Sequence, residues 1–149
     1  MPELYNLAYI SKNTIEGTPD EIRDQVRDIL ATAQRNNRAL DVTGALLYSG
    51  GYFCQVIEGA QEVLEELFES IQMDKRHGEI TVLHFAPIES RGFREWAMAL
   101  AGIEEHMRFD IEGVRASKDE LKMQQAGRDL VAVLEQLVRS HQSTQGHAR

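Results

Sequence analysis

The chain has one cysteine, three prolines and one tryptophan in 149 residues, and its 16 basic residues are outnumbered by 24 acidic ones. Each shortage excludes something. Cys54 has no second cysteine to pair with, so no disulfide staples the fold. Its strand-like surroundings suit a buried, inert thiol in a reducing compartment. A net charge of −8 disfavours nucleic-acid phosphates and anionic membrane surfaces as partners, because both need clustered Lys and Arg. No run approaches the ~18 apolar residues of a membrane span, and no basic-then-apolar leader opens the chain. A cytoplasmic location is therefore expected. Catalytic signatures are missing as well: there is no GxxxxGK[ST], GxGxxG, HExxH, CxxC or GxSxG. His77, His84, His106, His141 and His147 show no metal-ligand spacing, and one cysteine makes a structural zinc site unsuitable.

What is present is a regular alternation of strand and helix patterns within the length of one domain. Residues 4–10 form an apolar, aromatic-rich strand pattern. Thr18-Pro19-Asp20-Glu21 then combines a capping box with a first-turn proline, and Ile22, Val26, Ile29, Leu30 and Ala33 follow at helical spacing. That helix is expected to end around residues 34–37. Strands over 42–48 and 52–58 flank Ser49-Gly50-Gly51, a hairpin signal. Val63, Leu67 and Ile71 mark a second amphipathic helix, and strands follow over 80–88 and 96–103. The order β-α-β-β-α-β-β predicts an α+β, ferredoxin-like sheet with both helices on one face. In the last strand, alternation predicts Trp96, Met98 and Leu100 on one face and Ala97, Ala99 and Ala101 on the other. A further helix over about 117–140, with Leu121, Leu130, Leu134, Leu137 and Val138 in its stripe, is expected to cover the second sheet face or a neighbouring subunit. Residues 141–149 lack periodicity and are expected to be disordered.

Within this scheme four positions invite a functional question. Gln55 lies mid-strand in Tyr52-Phe53-Cys54-Gln55-Val56-Ile57, and burying its amide unpartnered would cost on the order of 1–3 kcal/mol. Its partner is either a sheet neighbour or a ligand. Tyr9 is either a hydrogen-bonded core tyrosine or a site residue. Asn37 is either a helix C-cap, since asparagine tolerates the left-handed region, or a ligand-facing amide. Trp96, with Met98, is either core filler or part of the same site. Together, a tyrosine and two amides near a tryptophan suit a planar ligand with a heteroatom edge. The acidic run Glu62, Glu65, Glu66 and Glu69 is read as the solvated face of its helix.

At these residues the sequence resembles the BLUF family of blue-light sensors that bind flavin. The matching stretches are Leu4-Tyr5-Asn6-Leu7-Ala8-Tyr9, Gln34-Arg35-Asn36-Asn37, Val42-Thr43-Gly44-Ala45-Leu46-Leu47-Tyr48 and Phe53-Cys54-Gln55-Val56-Ile57-Glu58-Gly59. Asp74-Lys75-Arg76-His77 and Arg91-Gly92-Phe93-Arg94-Glu95-Trp96-Ala97-Met98 complete the set. The resemblance covers 4–103 and implies a flavin-binding photosensor over those residues, with a helical extension over 104–140. It implies a non-covalent flavin between the two helices: FAD, with FMN or riboflavin as alternatives. Asn37 would bond the pyrimidine edge of the ring, and Gln55 would bridge Tyr9 and the N5/O4 edge. Asn36, Asp74, Arg76 and His77 match positions near the ring edge or ribityl chain, and Trp96 and Met98 match a pair placed near Gln55. The implied photochemistry takes an electron from Tyr9, moves a proton along the Tyr9–Gln55 path and leaves Gln55 rotated or tautomerised. A strengthened bond to O4 then shifts absorption to the red. Three positions depart from the family pattern: Asp41 for glycine, Cys54 for a larger aliphatic, and Ala97 for serine.

Read this way the protein is not an enzyme but a short photoreceptor, expected to signal to a separate partner protein and to self-associate. A light-insensitive α+β binding or assembly module is the alternative. An acylphosphatase-like enzyme is disfavoured, since no phosphate-cradling loop with a catalytic arginine is recognisable.

Overall fold

In the computed structural model, residues 3–104 and 111–144 are described. Nine elements follow one another: β1 (Leu4–Asn13), α1 (Pro19–Ala39), β2 (Thr43–Ser49), β3 (Tyr52–Ala60), α2 (Gln61–Gln72), β4 (His77–Ile88), β5 (Ala99–Glu104), α3 (Ile111–Ala116) and α4 (Glu120–Thr144). The strands form one mixed sheet in the order β4-β1-β3-β2-β5. β1 pairs antiparallel with β3 and β4, and β2 runs antiparallel to β3 and parallel to β5. The expected α+β, ferredoxin-like arrangement is the observed one.

Local chemistry accounts for the element ends. The Thr18 hydroxyl accepts from the Glu21 N–H at 3.2 Å, and the Glu21 carboxylate accepts from the Thr18 N–H at 3.2 Å, so the capping box starts α1 where its residues announce it. Gly50 and Gly51 both have positive φ, which closes the β2–β3 hairpin with the sense of twist its strands need. α1 runs on to Ala39 rather than stopping at 34–37. The left-handed residue that ends it is Asp41 (φ 56°); aspartate tolerates this conformation better than most side chains, so the turn survives the loss of glycine.

The sheet's alternating side chains divide the core in two. Leu7, Tyr9, Leu46, Phe53 and Ile57 face α1 and α2, burying Val26 and Leu64 with them. Ala8, Ile10, Leu47, Cys54 and Val56 face the other way, against Leu130, Leu134 and Val138 of α4. Most of the apolar stripe of α4 is thus spent on the sheet of its own chain, while Leu121 near its start stays exposed. The helix also continues to Thr144, past the expected start of a disordered tail, because nothing between Ser140 and Thr144 is a helix breaker; residues 145–149 lie outside the described residues, as does His106.

The expected start of the fifth strand also fails. The fifth strand begins at Ala99, not at Trp96. The Trp96 N–H bonds the Phe93 carbonyl at 2.9 Å, a turn in which strand alternation does not apply. Trp96 therefore packs with the α4-side cluster while Met98 is buried in the other.

His84 pins α4 to the sheet. Its Nε2 lies 2.9 Å from Asn6 Oδ1, and its ring edge lies against Gly127 of α4. Burial, and after it the charge of Arg128, holds the imidazole below its ordinary value of 6.5, against the opposing effect of a bond to the Gln124 backbone. A lowered folded pKa means the folded state binds fewer protons, so this contribution is complete above about 6.5 and is lost as pH falls through the lowered value. Urea midpoints should accordingly fall between about pH 7 and 5, and His84→Gln should flatten that slope. An unchanged slope in the variant would show that His84 is not the group responsible.

Candidate functional site

A cleft opens between α1 and α2 over the sheet. The i, i+4, i+7 spacing of Ile29, Ala33 and Asn36 turns them towards it from one helix. Leu67, Ser70 and Ile71 close the opposite wall, and Leu46, Phe53, Tyr9 and Gln55 form the floor. Asp74 and Arg76, both partly exposed, stand at the mouth, and His77 lines the cleft beside Tyr9 and Phe53. The walls are mainly apolar and most polar groups converge at the floor and the edges, the usual make-up of a small-molecule site.

The floor is organised by strand register. Tyr9 on β1 pairs directly with Gln55 on β3, so both side chains leave the same sheet face side by side. The Tyr9 hydroxyl donates to Gln55 Oε1. Gln55 Nε2 then points the other way and meets the Met98 thioether at 3.7 Å. Sulfur is a weak acceptor, so this amide keeps most of its donor strength for a better one. The mid-strand glutamine thus has a partner at each end, one strong and one weak.

Tyr9 is 1% exposed, with Phe68 and His77 rings packed around it at centroid distances of 5.5 and 6.5 Å. Burial pushes its phenol far above the ordinary value, and the nearby charge of Asp74 adds to the effect. The phenol therefore keeps its proton near neutrality and well above it. Its acceptor is already in place: Gln55 Oε1.

Asn37 is buried inside α1, and the helix cap falls on Leu40, which rules out its reading as a C-cap. Its Nδ2 donates to the Ala97 carbonyl at 2.8 Å, leaving Oδ1 to accept from a ligand N–H. Asn36 also lines the cleft but is exposed. At the mouth, the Arg76 guanidinium holds the Asp74 carboxylate at 2.6 Å, and the Arg76 N–H bonds it at 2.9 Å. Chiefly through the side-chain bond, Arg76 keeps Asp74 below its ordinary value, hence charged and paired. His77 Nε2 lies 2.7 Å from the Ile71 carbonyl, so it must be the protonated nitrogen. A neutral ring then accepts from the Ser11 hydroxyl through Nδ1, at 2.6 Å.

Seven of the residues singled out in the sequence, Tyr9, Asn36, Asn37, Gln55, Asp74, Arg76 and His77, line one cleft. Met98 lies behind Gln55, and Trp96 is turned to the opposite sheet face. Sequence reasoning missed Ile29, Ala33, Leu67 and Ile71 as lining residues because they read equally well as core. It missed Gln34, whose Nε2 donates to the Met98 carbonyl at 3.0 Å, because within the polar run of residues 34–38 nothing local marks which side chain reaches a distant backbone carbonyl.

Comparison with known proteins gives the family and the fold. The sequence profile of the BLUF family, described as sensors of blue-light using FAD, matches residues 4–99. Photoactivated adenylate cyclase subunit beta of Euglena longa is 36% identical over 99 residues, which are 66% of this chain and 11% of that protein. The chain therefore spans about a tenth of the length of such relatives. Among solved structures, BlrB, a BLUF protein in its dark state, matches with a TM-score of 0.67 at 32% identity, covering 95% of this chain and 98% of that one. BlsA in its photo-activated state matches with a TM-score of 0.68 at 31% identity, covering 89% and 94%.

Proposed function

This chain belongs to the BLUF family, and on that premise we propose that it is a blue-light photoreceptor whose moving part is Gln55. The observation that carries the proposal is the Tyr9–Gln55 hydrogen bond on the floor of the α1–α2 cleft. The donor set suits an isoalloxazine ring. The apolar side chains of Ile29 and Ile71 on the walls and of Leu46 and Phe53 on the floor accept a flat ring, the uncommitted Asn37 Oδ1 accepts an imide-type N–H, and the underused Gln55 Nε2 donates to the opposite edge. Asp74, Arg76 and His77 lie where a ribityl chain would leave the cleft. FAD is the flavin proposed, with FMN and riboflavin sharing the same ring contacts.

Bound flavin supplies absorption of blue light and, once excited, an electron acceptor. The chain's own residues do the rest. Tyr9 is the oxidisable donor on the floor of the cleft, and oxidation makes its phenol strongly acidic. The proton passes to Gln55 Oε1. When Tyr9 recovers its electron and proton, Gln55 is left rotated or tautomerised, its bonds redistributed between Tyr9, Met98 and the ligand edge. Two amide orientations of similar energy constitute a bistable element that light can bias. Output then passes to a separate protein, with signalling rather than catalysis as the role of this fold. Among the described residues no helix is long and apolar enough to cross a membrane; the receptor is proposed to be cytoplasmic.

The cofactor assignment has its own test. Purified protein should be yellow, and heat should release a flavin that chromatographs as FAD. Release of FMN or riboflavin corrects the cofactor alone. Colourless protein that takes up no added flavin contradicts the proposal and favours a light-insensitive binding module.

A further inference from the structure

Two amides on one face of α1 hold the segment that precedes β5. Asn37 Nδ2 donates to the Ala97 carbonyl at 2.8 Å, and Gln34 Nε2 to the Met98 carbonyl at 3.0 Å. Three residues apart on a helix, they are neighbours on its surface. The segment needs them: Ala97 and Met98 lie ahead of the first ladder pair, which is Ala45 with Ala99, and the Gly44 N–H of β2 goes instead to the Trp96 carbonyl at 3.2 Å. A backbone acceptor left unpaired in this half-buried place is costly. On the far side of the same residue, the Met98 thioether meets Gln55 Nε2 at 3.7 Å, and Met98 is 1% exposed. Gln34 therefore grips the backbone of the residue whose side chain touches the switch.

We propose that Gln34 is a positioning residue that holds the Met98 thioether against Gln55, and so sets how long the light-adapted state lasts. The proposal rests on the photoreceptor function and deepens it. With the donor removed, the Met98 backbone is free to shift, the sulfur no longer backs Gln55 at a fixed distance, and the barrier to return is lowered.

Gln34→Glu tests this with almost no change of shape. An ionised carboxylate only accepts hydrogen bonds, so it cannot hold the Met98 carbonyl. Dark recovery should become about three- to ten-fold faster, the factor that one neutral hydrogen bond is worth in a rate, with flavin still bound. Gln34→Lys, a donor of similar reach, should restore slow recovery. In a Met98→Leu background, with no thioether to position, Gln34→Glu should have no further effect. A readout independent of light is the carbonyl resonance of Met98 in methionine-labelled, flavin-free protein, which should move upfield in Gln34→Glu. Wild-type recovery together with an unmoved Met98 carbonyl in Gln34→Glu would overturn the inference and leave the photoreceptor proposal standing. An acceleration that persists in Met98→Leu would overturn the route through sulfur. If the wild type shows no light-induced red shift, the photoreceptor proposal fails and takes this one with it.

Discussion

Gln55→Leu is expected to keep its flavin and lose its light response completely. The substitution preserves the bulk of a side chain that is 8% exposed and lies between the facing strand partners Tyr9 and Leu46. In the proposed complex the ring would be held chiefly by the apolar lining and by Asn37, neither of which this change touches. What disappears is the acceptor for the Tyr9 proton and the amide that can present oxygen or nitrogen to the ligand edge. The Tyr9 hydroxyl would be left buried without its partner, at a cost of about 1–3 kcal/mol, so modest destabilisation should accompany the spectral loss. The check is a comparison of absorption before and after illumination on protein with one flavin per chain. A red shift of normal size in Gln55→Leu would remove Gln55 from the switch.

The second large effect is structural. Gly44 on β2 faces Ile57 on β3, and an added Cβ would lie 2.1 Å from the Val56 carbonyl oxygen and 3.2 Å from Ile57 Cα. Both obstacles are backbone in the centre of the sheet, so no side chain can swing away to relieve them. The Gly44 N–H also bonds the Trp96 carbonyl at 3.2 Å, which ties this position to the turn that places Met98. Gly44→Ala should therefore force β2 and β3 apart, costing on the order of 3 kcal/mol or more. For a chain of this size that is a drop of about 10 °C in Tm, accompanied by weaker flavin retention, since Leu46 and Gln55 sit on the same two strands. A Tm within about 2 °C of wild type would correspond to less than ~1 kcal/mol and would show that the sheet yields at Gly44.

The contrast between Gln55 and Trp96 shows what a linear sequence can convey. Gln55 stood out because strand periodicity is strict, so a buried amide amid aromatic and β-branched residues signals a partner. The capping box, the hairpin glycines and the two helical stripes were legible for the same reason: each is a short-range rule expressed within a few residues. Trp96 misled because periodicity was extended through a turn, and the Phe93–Trp96 bond that breaks it leaves no local mark. Asn37 was legible as a candidate but not as to role, since a helix that runs two residues further changes it from cap to interior. The facing of Tyr9 and Gln55 is a matter of register between strands 46 residues apart, which only the folded sheet, or a family pattern that encodes it, makes visible. Gln34 stayed hidden because its partner is a backbone carbonyl, and the sequence carries no trace of which carbonyls a strand will leave unpaired.

The central claim is that blue light acts through the Tyr9–Gln55 hydrogen bond. The measurement that tests it most directly is the light-minus-dark absorption spectrum of flavin-loaded protein, taken for the wild type and for Tyr9→Phe. The account predicts a flavin band that moves to the red in the wild type and relaxes in darkness, and a spectrum that does not move in Tyr9→Phe although flavin remains bound. A reversible red shift of wild-type size in Tyr9→Phe, or none in the flavin-loaded wild type, would contradict it.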